Sequence, residues 1–289
     1  MLNRIVDALN FDLASLKRNQ LKVAATYFGG KNLLAARYIP WFAEHTTYVE
    51  PFGGSGGVLL NKPKRRVEVY NDTEEGVNAF FRCLRDDDLA EKLLRQLKLT
   101  PYSHQEHAFC VKHYTQPCCA VEKARRWYVA TQQSYASIIG DTWSSSPSKS
   151  RANEIKNRLD RFEIVTERMR GVIVEHADFE RVLLKYDSEN TFHFIDPPYM
   201  HATRSGGGSY AHEMSDADHE RLIQCVRSLT GTVMLCGYSH PMYEALLSKW
   251  SRLDTDHFCT SGNRPRAASR TERIWMNYRL ADQRTLRAG

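Results

Sequence analysis

The chain has 289 residues, 42% of them hydrophobic and 26% charged, which suits one large α/β domain with an insertion. No apolar run approaches the roughly 20 residues of a membrane span, and residues 1–20 carry scattered charges in place of an apolar signal core, so a cytoplasmic protein is expected. The seven cysteines are odd in number and lack a C-x-x-C pair, which argues against a disulfide framework, and the formal net charge of +6 points toward an acidic partner.

Residues 1–25 place Leu2, Ile5, Val6, Leu9, Leu13 and Leu16 at helical spacing, so this N-terminal extension is expected to be a packing helix. The run Tyr48-Val49-Glu50-Pro51-Phe52-Gly53-Gly54-Ser55-Gly56-Gly57 then reads as a short strand, an acid at its end, a glycine-rich turn and a helix start. Glycines let a ligand approach the backbone closely, and the carboxyl ends of parallel strands are where open α/β sheets bind ligands. Neither the P-loop nor the G-x-G-x-x-G pattern can be laid over Gly53 to Gly57, so no phosphate cradle is expected. A second strand at Val67-Glu68-Val69-Tyr70 ends in Asn71-Asp72, an acid where a ribose diol is commonly held. The ligand these elements fit is a nucleoside without a bound phosphate.

Residues 86–165 read as mostly helical with loops, interrupting an alternation of strands and helices that resumes near 172–175, 191–196, 232–236, 253–259 and 273–279. His104, His107, Cys110 and His113 recur every three residues, a spacing that drifts around a helix and lacks the usual paired zinc-ligand format. Positive charge is concentrated. Residues 121–161 hold eight Lys or Arg against four acids, and residues 262–289 hold seven Arg against two, so the rest of the chain is slightly acidic. In the first segment Gln132, Tyr135 and Trp143 lie among the charges and are candidates for reading bases, while Lys149, Arg151 and Arg158 are candidates for gripping phosphates. The serine-rich stretch 141–150 reads as a loop within it.

The apolar strand Thr191-Phe192-His193-Phe194-Ile195 runs directly into Asp196-Pro197-Pro198-Tyr199. Each proline fixes its own φ and supplies no N–H, so the acid leaves the strand followed by a stiff turn. The Asp196 carboxylate and the Pro197 carbonyl can both accept hydrogen bonds from one amino group, and Tyr199 is expected to offer a flat face beside them. A planar, amino-bearing heterocycle fits such a corner, as in enzymes that extract a base from its helix. Met200 to His212, with Arg204, three glycines and Tyr210, reads as a loop that orders over nucleic acid.

Taken in order, Tyr27-Phe28-Gly29-Gly30-Lys31, the Glu50 to Leu60 segment, Tyr70-Asn71-Asp72, Ala177-Asp178-Phe179 and Asp196 to Tyr199 resemble successive motifs of the alpha-group (Dam-like and phage-type) DNA adenine-N6 methyltransferases. The resemblance covers roughly residues 26–280 and is weakest between Arg85 and Arg161; Ser209 to Met214, Gly237-Tyr238 and Arg270 to Tyr278 resemble the phage and prophage branch more than the housekeeping Dam branch. It implies a Rossmann-like methyltransferase sheet with helices on both faces, a catalytic domain over residues 26–85 and 166–289, and a mostly helical target-recognition insertion over 86–165. It implies S-adenosylmethionine as cofactor, with Tyr27, Lys31, Glu50, Phe52, Gly53, Gly54, Ser55, Gly56, Asp72, Asp178, Phe179 and Asp196 around it. Asp72 would take the ribose hydroxyls, Asp178 the adenine amino group, and Lys31 either the cofactor carboxylate or a DNA phosphate. The substrate would be adenine flipped from duplex DNA onto Asp196, Pro197 and Tyr199, without a metal, by a monomer or weak dimer; a cognate restriction endonuclease is not visible from the sequence. Two other readings stay open: an enzyme acting on RNA or nucleosides, and a DNA-binding protein of the same fold without turnover.

Overall fold

The computed structural model of the chain describes residues 25, 30–32, 34–200, 213–258 and 269–280, with side chains left aside at 256–258 and 269–270. The expected N-terminal helix, Tyr27 and the loop carrying Arg204 and Tyr210 lie outside the described residues. One sheet of seven strands has the order β3-β2-β1-β4-β5-β7-β6. Its strands are β1 (Thr47–Glu50), β2 (Val67–Asn71), β3 (Ile173–Glu175), β4 (Thr191–Ile195), β5 (Thr232–Gly237), β6 (Ser251–Phe258) and β7 (Ser269–Met276). The first five pair in parallel, and β7 is inserted antiparallel between β5 and β6. The order reverses between β1 and β4, so a crevice is expected outside their carboxyl ends, where ligands of open α/β sheets lie.

Both faces of this sheet are covered, which is why β4 (Thr-Phe-His-Phe-Ile) is buried at every position instead of alternating. On one face Phe192, Phe194, Met234, Ile274 and Met276 pack with α1 (Ala35–Tyr38), α2 (Glu75–Leu84) and part of the insertion. On the other, Ile195, Val233, Leu235 and Trp275 pack beneath α8 (Phe179–Lys185), α9 (Asp216–Ser228) and α10 (Pro241–Leu246). The expected doubly wound sheet with helices on both faces is therefore present.

The insertion supplies α3 (Asp87–Leu99), α4 (His104–His113), α5 (Ala120–Gln132), α6 (Arg151–Leu159) and α7 (Phe162–Met169). Trp127 and Tyr128 of α5 are fully buried against Phe80 of α2, with ring centroids 5.4 and 5.7 Å apart, so this segment shares its main core with the sheet domain. Gly76 permits that approach, because a Cβ there would lie 2.5 Å from the Trp127 ring.

One local expectation is corrected. The glycine-rich run does not open into a helix: residues 56–62 form overlapping turns, with Leu60 N on Gly56 O at 2.9 Å and Lys62 N on Val58 O at 3.0 Å. The helical ladder does not continue because the Asn61 side-chain amide donates to Gly57 O at 2.8 Å while Asn61 N bonds Val58 O at 3.1 Å, and Pro63, with no N–H, follows.

Candidate active site

Asp196 leaves the end of β4 beside the strand-order reversal, and its carboxylate is met there by Lys31 and Tyr199, which Glu272 and Tyr38 back in turn. Lys31 Nζ lies 2.8 Å from Asp196 Oδ1 and donates to the Tyr199 hydroxyl at 2.9 Å, and that hydroxyl oxygen lies 3.0 Å from Asp196 Oδ1. Glu272 of β7 accepts from the hydroxyls of Tyr199 and Tyr38, and its Oε1 is 3.3 Å from Lys31 Nζ. The cluster is almost dry, with Lys31 at 8%, Tyr199 at 9% and Glu272 at 1% exposure. Burial pushes the Asp196 carboxyl up, Lys31 draws it back, and the neighbouring Glu272 raises it again. The Tyr199 and Tyr38 phenols are pushed up by burial and by the same carboxylates, so both remain hydrogen-bond donors at neutral pH.

Around Tyr199, Lys31 Nζ bonds the hydroxyl end of the ring at 2.9 Å, and the Tyr238 ring packs nearly perpendicular to it with centroids 4.7 Å apart. The partners of Lys31 are Asp196, Tyr199 and Glu272, all at the corner. Proline-rich sequence could show that the corner exists, whereas its occupants come from residues 168 positions upstream and 73 downstream of Tyr199. Glu272 and Tyr38 were not anticipated. A signal for Glu272 was present, because it falls in phase with the buried Ile274 and Met276, an acid on the apolar repeat of a strand.

The ends of β1, β2 and β3 carry the expected cofactor residues. Asp72 receives Gly54 N and Glu74 N, each at 2.8 Å, and remains partly exposed, so its carboxylate retains acceptor capacity. Gly54 (φ 49°) and Gly56 (φ 65°) both adopt the left-handed conformation. Gly53 is required for another reason: a Cβ there would fall within the Tyr70 ring, whose hydroxyl donates to Gly54 O at 2.7 Å. The Asn71 amide ties strand ends together by bonding Pro51 O at 2.9 Å and Ala177 at both its N (2.9 Å) and O (3.0 Å). Phe52 is partly exposed and tilts against Phe179, centroids 5.5 Å apart, while Ser55 is buried. Asp178 caps α8 through Glu180 N at 3.0 Å, and both its oxygens take Arg221 at 2.9 Å, with that guanidinium 4.4 Å over Phe179. The donor set of two carboxylates, positive-φ glycines and an accessible aromatic ring, with no cation on the turn, suits a nucleoside lacking phosphate.

Glu50 is buried at 3% exposure, accepts from the Tyr48 hydroxyl at 2.8 Å and from Leu59 N, and braces the turn from beneath. Burial pushes its carboxyl up to about 8, against the lowering by Tyr48. The folded protein thus holds this proton more tightly than the unfolded chain, and the associated stability is full below pH 4.5 and is lost as pH rises through about 8. Glu50→Gln is accordingly expected to flatten the decline of stability between those pH values, measured by urea denaturation across pH; parallel wild-type and variant curves would contradict the buried acid.

The insertion residues divide. Gln132 is buried and accepts from Arg158 Nη1 at 3.0 Å. Trp143 is half-buried, its indole N–H on Gln133 Oε1 at 3.3 Å and its ring 5.2 Å from Tyr102. Tyr135 is 40% exposed and Lys149 exposed, while Arg151 pairs with Glu154 at 2.8 Å. The stretch 133–144 is tied back as a loop by Tyr135 N on Thr142 O (2.8 Å) and Ser144 N on Gln133 O (2.7 Å), and Ala136 and Ser137 hold positive φ at its tip. His107 bonds Ser134 at 2.7 Å and His113 bonds Phe109 O at 2.7 Å, so the four-residue His/Cys series serves local contacts.

A seven-stranded sheet of this order, with acids at the ends of β1, β2 and β4 and the Asp-Pro-Pro-Tyr corner at the reversal point, is a Rossmann-like methyltransferase architecture. A model of the D12 class N6 adenine-specific DNA methyltransferases matches residues 27–258, and the chain belongs to that family. Among solved structures it is similar to SMU.472, assigned as a methyltransferase and crystallised with SAH, at 14% identity and a TM-score of 0.35. That match covers 91% of this chain and 55% of the other, so the chain spans about half the length of that protein. No curated protein matches it.

Proposed function

We propose that the chain transfers a methyl group from S-adenosylmethionine to N6 of adenine in duplex DNA, with the target base flipped into the corner at the end of β4. The observation that carries this reading is the part-buried Asp196 carboxylate at the strand-order reversal, already bonded to an ammonium, the hydrogen-bonding counterpart of an exocyclic amine. When bound, S-adenosylmethionine would supply a methyl group on a sulfonium that leaves as a neutral thioether. Asp72 would hold the ribose hydroxyls, Asp178 the adenine amino group while sharing Arg221, and Phe52 the flat face. Asp196 and the Pro197 carbonyl would accept the two N6 hydrogens, concentrating electron density on nitrogen, and the proton displaced when the N–C bond forms would leave along the hydrogen bond to the Asp196 carboxylate. The site needs positioning and preorganised acceptors, not a covalent nucleophile.

Residues 86–165 would recognise the target and the basic segments would grip DNA. Substitution of the exposed Tyr135 or the half-buried Trp143 is then expected to change which adenines are modified. Removing Lys149 is expected to weaken binding uniformly and lower the salt slope by about one unit. Modification maps of the variants beside wild type check this division. Offering duplex DNA, RNA and free adenosine as acceptors of a labelled methyl group tests the substrate class: transfer to DNA alone supports the proposal, and preference for RNA or nucleoside overturns it.

A further inference from the structure

Glu272 lies beyond the residues 27–258 matched by the family model, and none of the roles above includes it. With Tyr38 it is the most deeply buried part of the corner, at 1% exposure, and it sits on β7, which runs antiparallel to both its neighbours. Its Oε1 takes the Tyr199 hydroxyl and lies 3.3 Å from Lys31 Nζ, while its Oε2 takes the Tyr38 hydroxyl from α1. Asp196 Oδ1 contacts the same ammonium at 2.8 Å and the same phenol at 3.0 Å. One lysine and one tyrosine are thus shared between two carboxylates.

That sharing bears on how a base can enter. The amino group of a target must reach Asp196, where Lys31 already stands. A buried ammonium that lost its only counter-charge would be strongly disfavoured in place. Glu272 removes that difficulty, because the lysine can give up Asp196 and remain inside on the second carboxylate, with Tyr199 held by the same oxygen. We infer that Glu272 is a positioning residue for the transfer: it retains Lys31 and Tyr199 when the target amine replaces the lysine at Asp196. The exchange trades hydrogen bonds only; no proton or covalent bond changes hands at Glu272. The inference rests on the adenine-methylation reading.

The test uses the full chain with saturating S-adenosylmethionine and unmethylated genomic DNA, comparing wild type, Glu272→Gln, Glu272→Asp, Lys31→Met and the Lys31→Met/Glu272→Gln double variant. Glu272→Gln is expected to slow single-turnover transfer by about 10²-fold, with cofactor affinity by calorimetry held within about threefold, the signature of an interaction needed for the step and not for ground-state binding. Glu272→Asp keeps the charge and should recover part of the loss; it also carries the test alone if the amide variant does not fold. Because Glu272 acts in part through Lys31, the Glu272→Gln loss should be smaller in the Lys31→Met background, leaving the double variant less impaired than the product of the two single losses. Wild-type rates in the folded Glu272 variants, or losses that multiply in the double variant, overturn the inference. A wild-type protein that transfers no methyl group overturns the underlying reading and this inference with it, whereas an active wild type indifferent to Glu272 overturns this inference alone.

Discussion

Asp196→Ala is expected to lower methyl transfer on the order of 10³-fold, the scale of losing a preorganised group that stabilises developing charge. The fold should survive the change. Lys31 keeps a carboxylate partner at Glu272, 3.3 Å away, so the substitution does not strand a buried ammonium. Cofactor affinity should stay within a few-fold, because the expected ribose and adenine acceptors, Asp72 and Asp178, lie on other strand ends. Single-turnover transfer with saturating DNA, read beside calorimetry for S-adenosylmethionine, separates the two effects. Near wild-type transfer would remove Asp196 from the catalytic role, and a large loss of cofactor affinity with unchanged transfer would move it to the cofactor.

Glu68→Ala is expected to cost about 3–5 kcal/mol of folding stability, as breaking a buried ion pair by removing one partner does. Glu68 is 4% exposed; it takes the Lys62 ammonium, and Arg168 binds it at 2.6 and 2.9 Å. Those cations hold its carboxyl below the usual range although burial works the other way. Its removal leaves Lys62 and Arg168 buried without a counter-charge. The effect should reach the site, since Arg168 also donates to Leu59 O at 2.7 Å while Leu59 N donates to Glu50, which links this triad to the glycine-rich turn. Urea denaturation gives the stability change, and a shift below about 1 kcal/mol, the range of exposed pairs, would show that the triad is not isolated from solvent.

What could be read from the chain was local. The Asp-Pro-Pro-Tyr corner, the glycine turn and the acid after Asn71 are each written within a few residues, and their strands form where apolar β-favouring runs predict them. The sheet pairing is not local. β7 is the last strand described and lies between β5 and β6, so neither periodicity nor spacing could place Glu272 against Tyr199 or Tyr38, the latter 234 positions away. Lys31 was visible as part of a motif, but its choice between cofactor, phosphate and the catalytic acid depends on that same pairing. The helix expected after Gly57 does not form because the Asn61 side chain takes Gly57 O while Asn61 N turns to Val58 O, a side-chain competition that a reading of helix propensity does not contain. Gln132 shows the reverse limit: an amide among charges looks like a base reader, yet here it is buried on Arg158.

The central claim is that this chain places a methyl group on the exocyclic nitrogen of adenine in DNA. The most direct measurement is enzymatic digestion of unmethylated duplex DNA after incubation with the purified chain and S-adenosylmethionine, followed by mass analysis of the nucleosides. N6-methyldeoxyadenosine is expected as the new product, formed about 10³-fold more slowly by Asp196→Ala. Methylated cytosine in place of adenine, or no modified nucleoside from a folded protein that binds the cofactor and DNA, would contradict it.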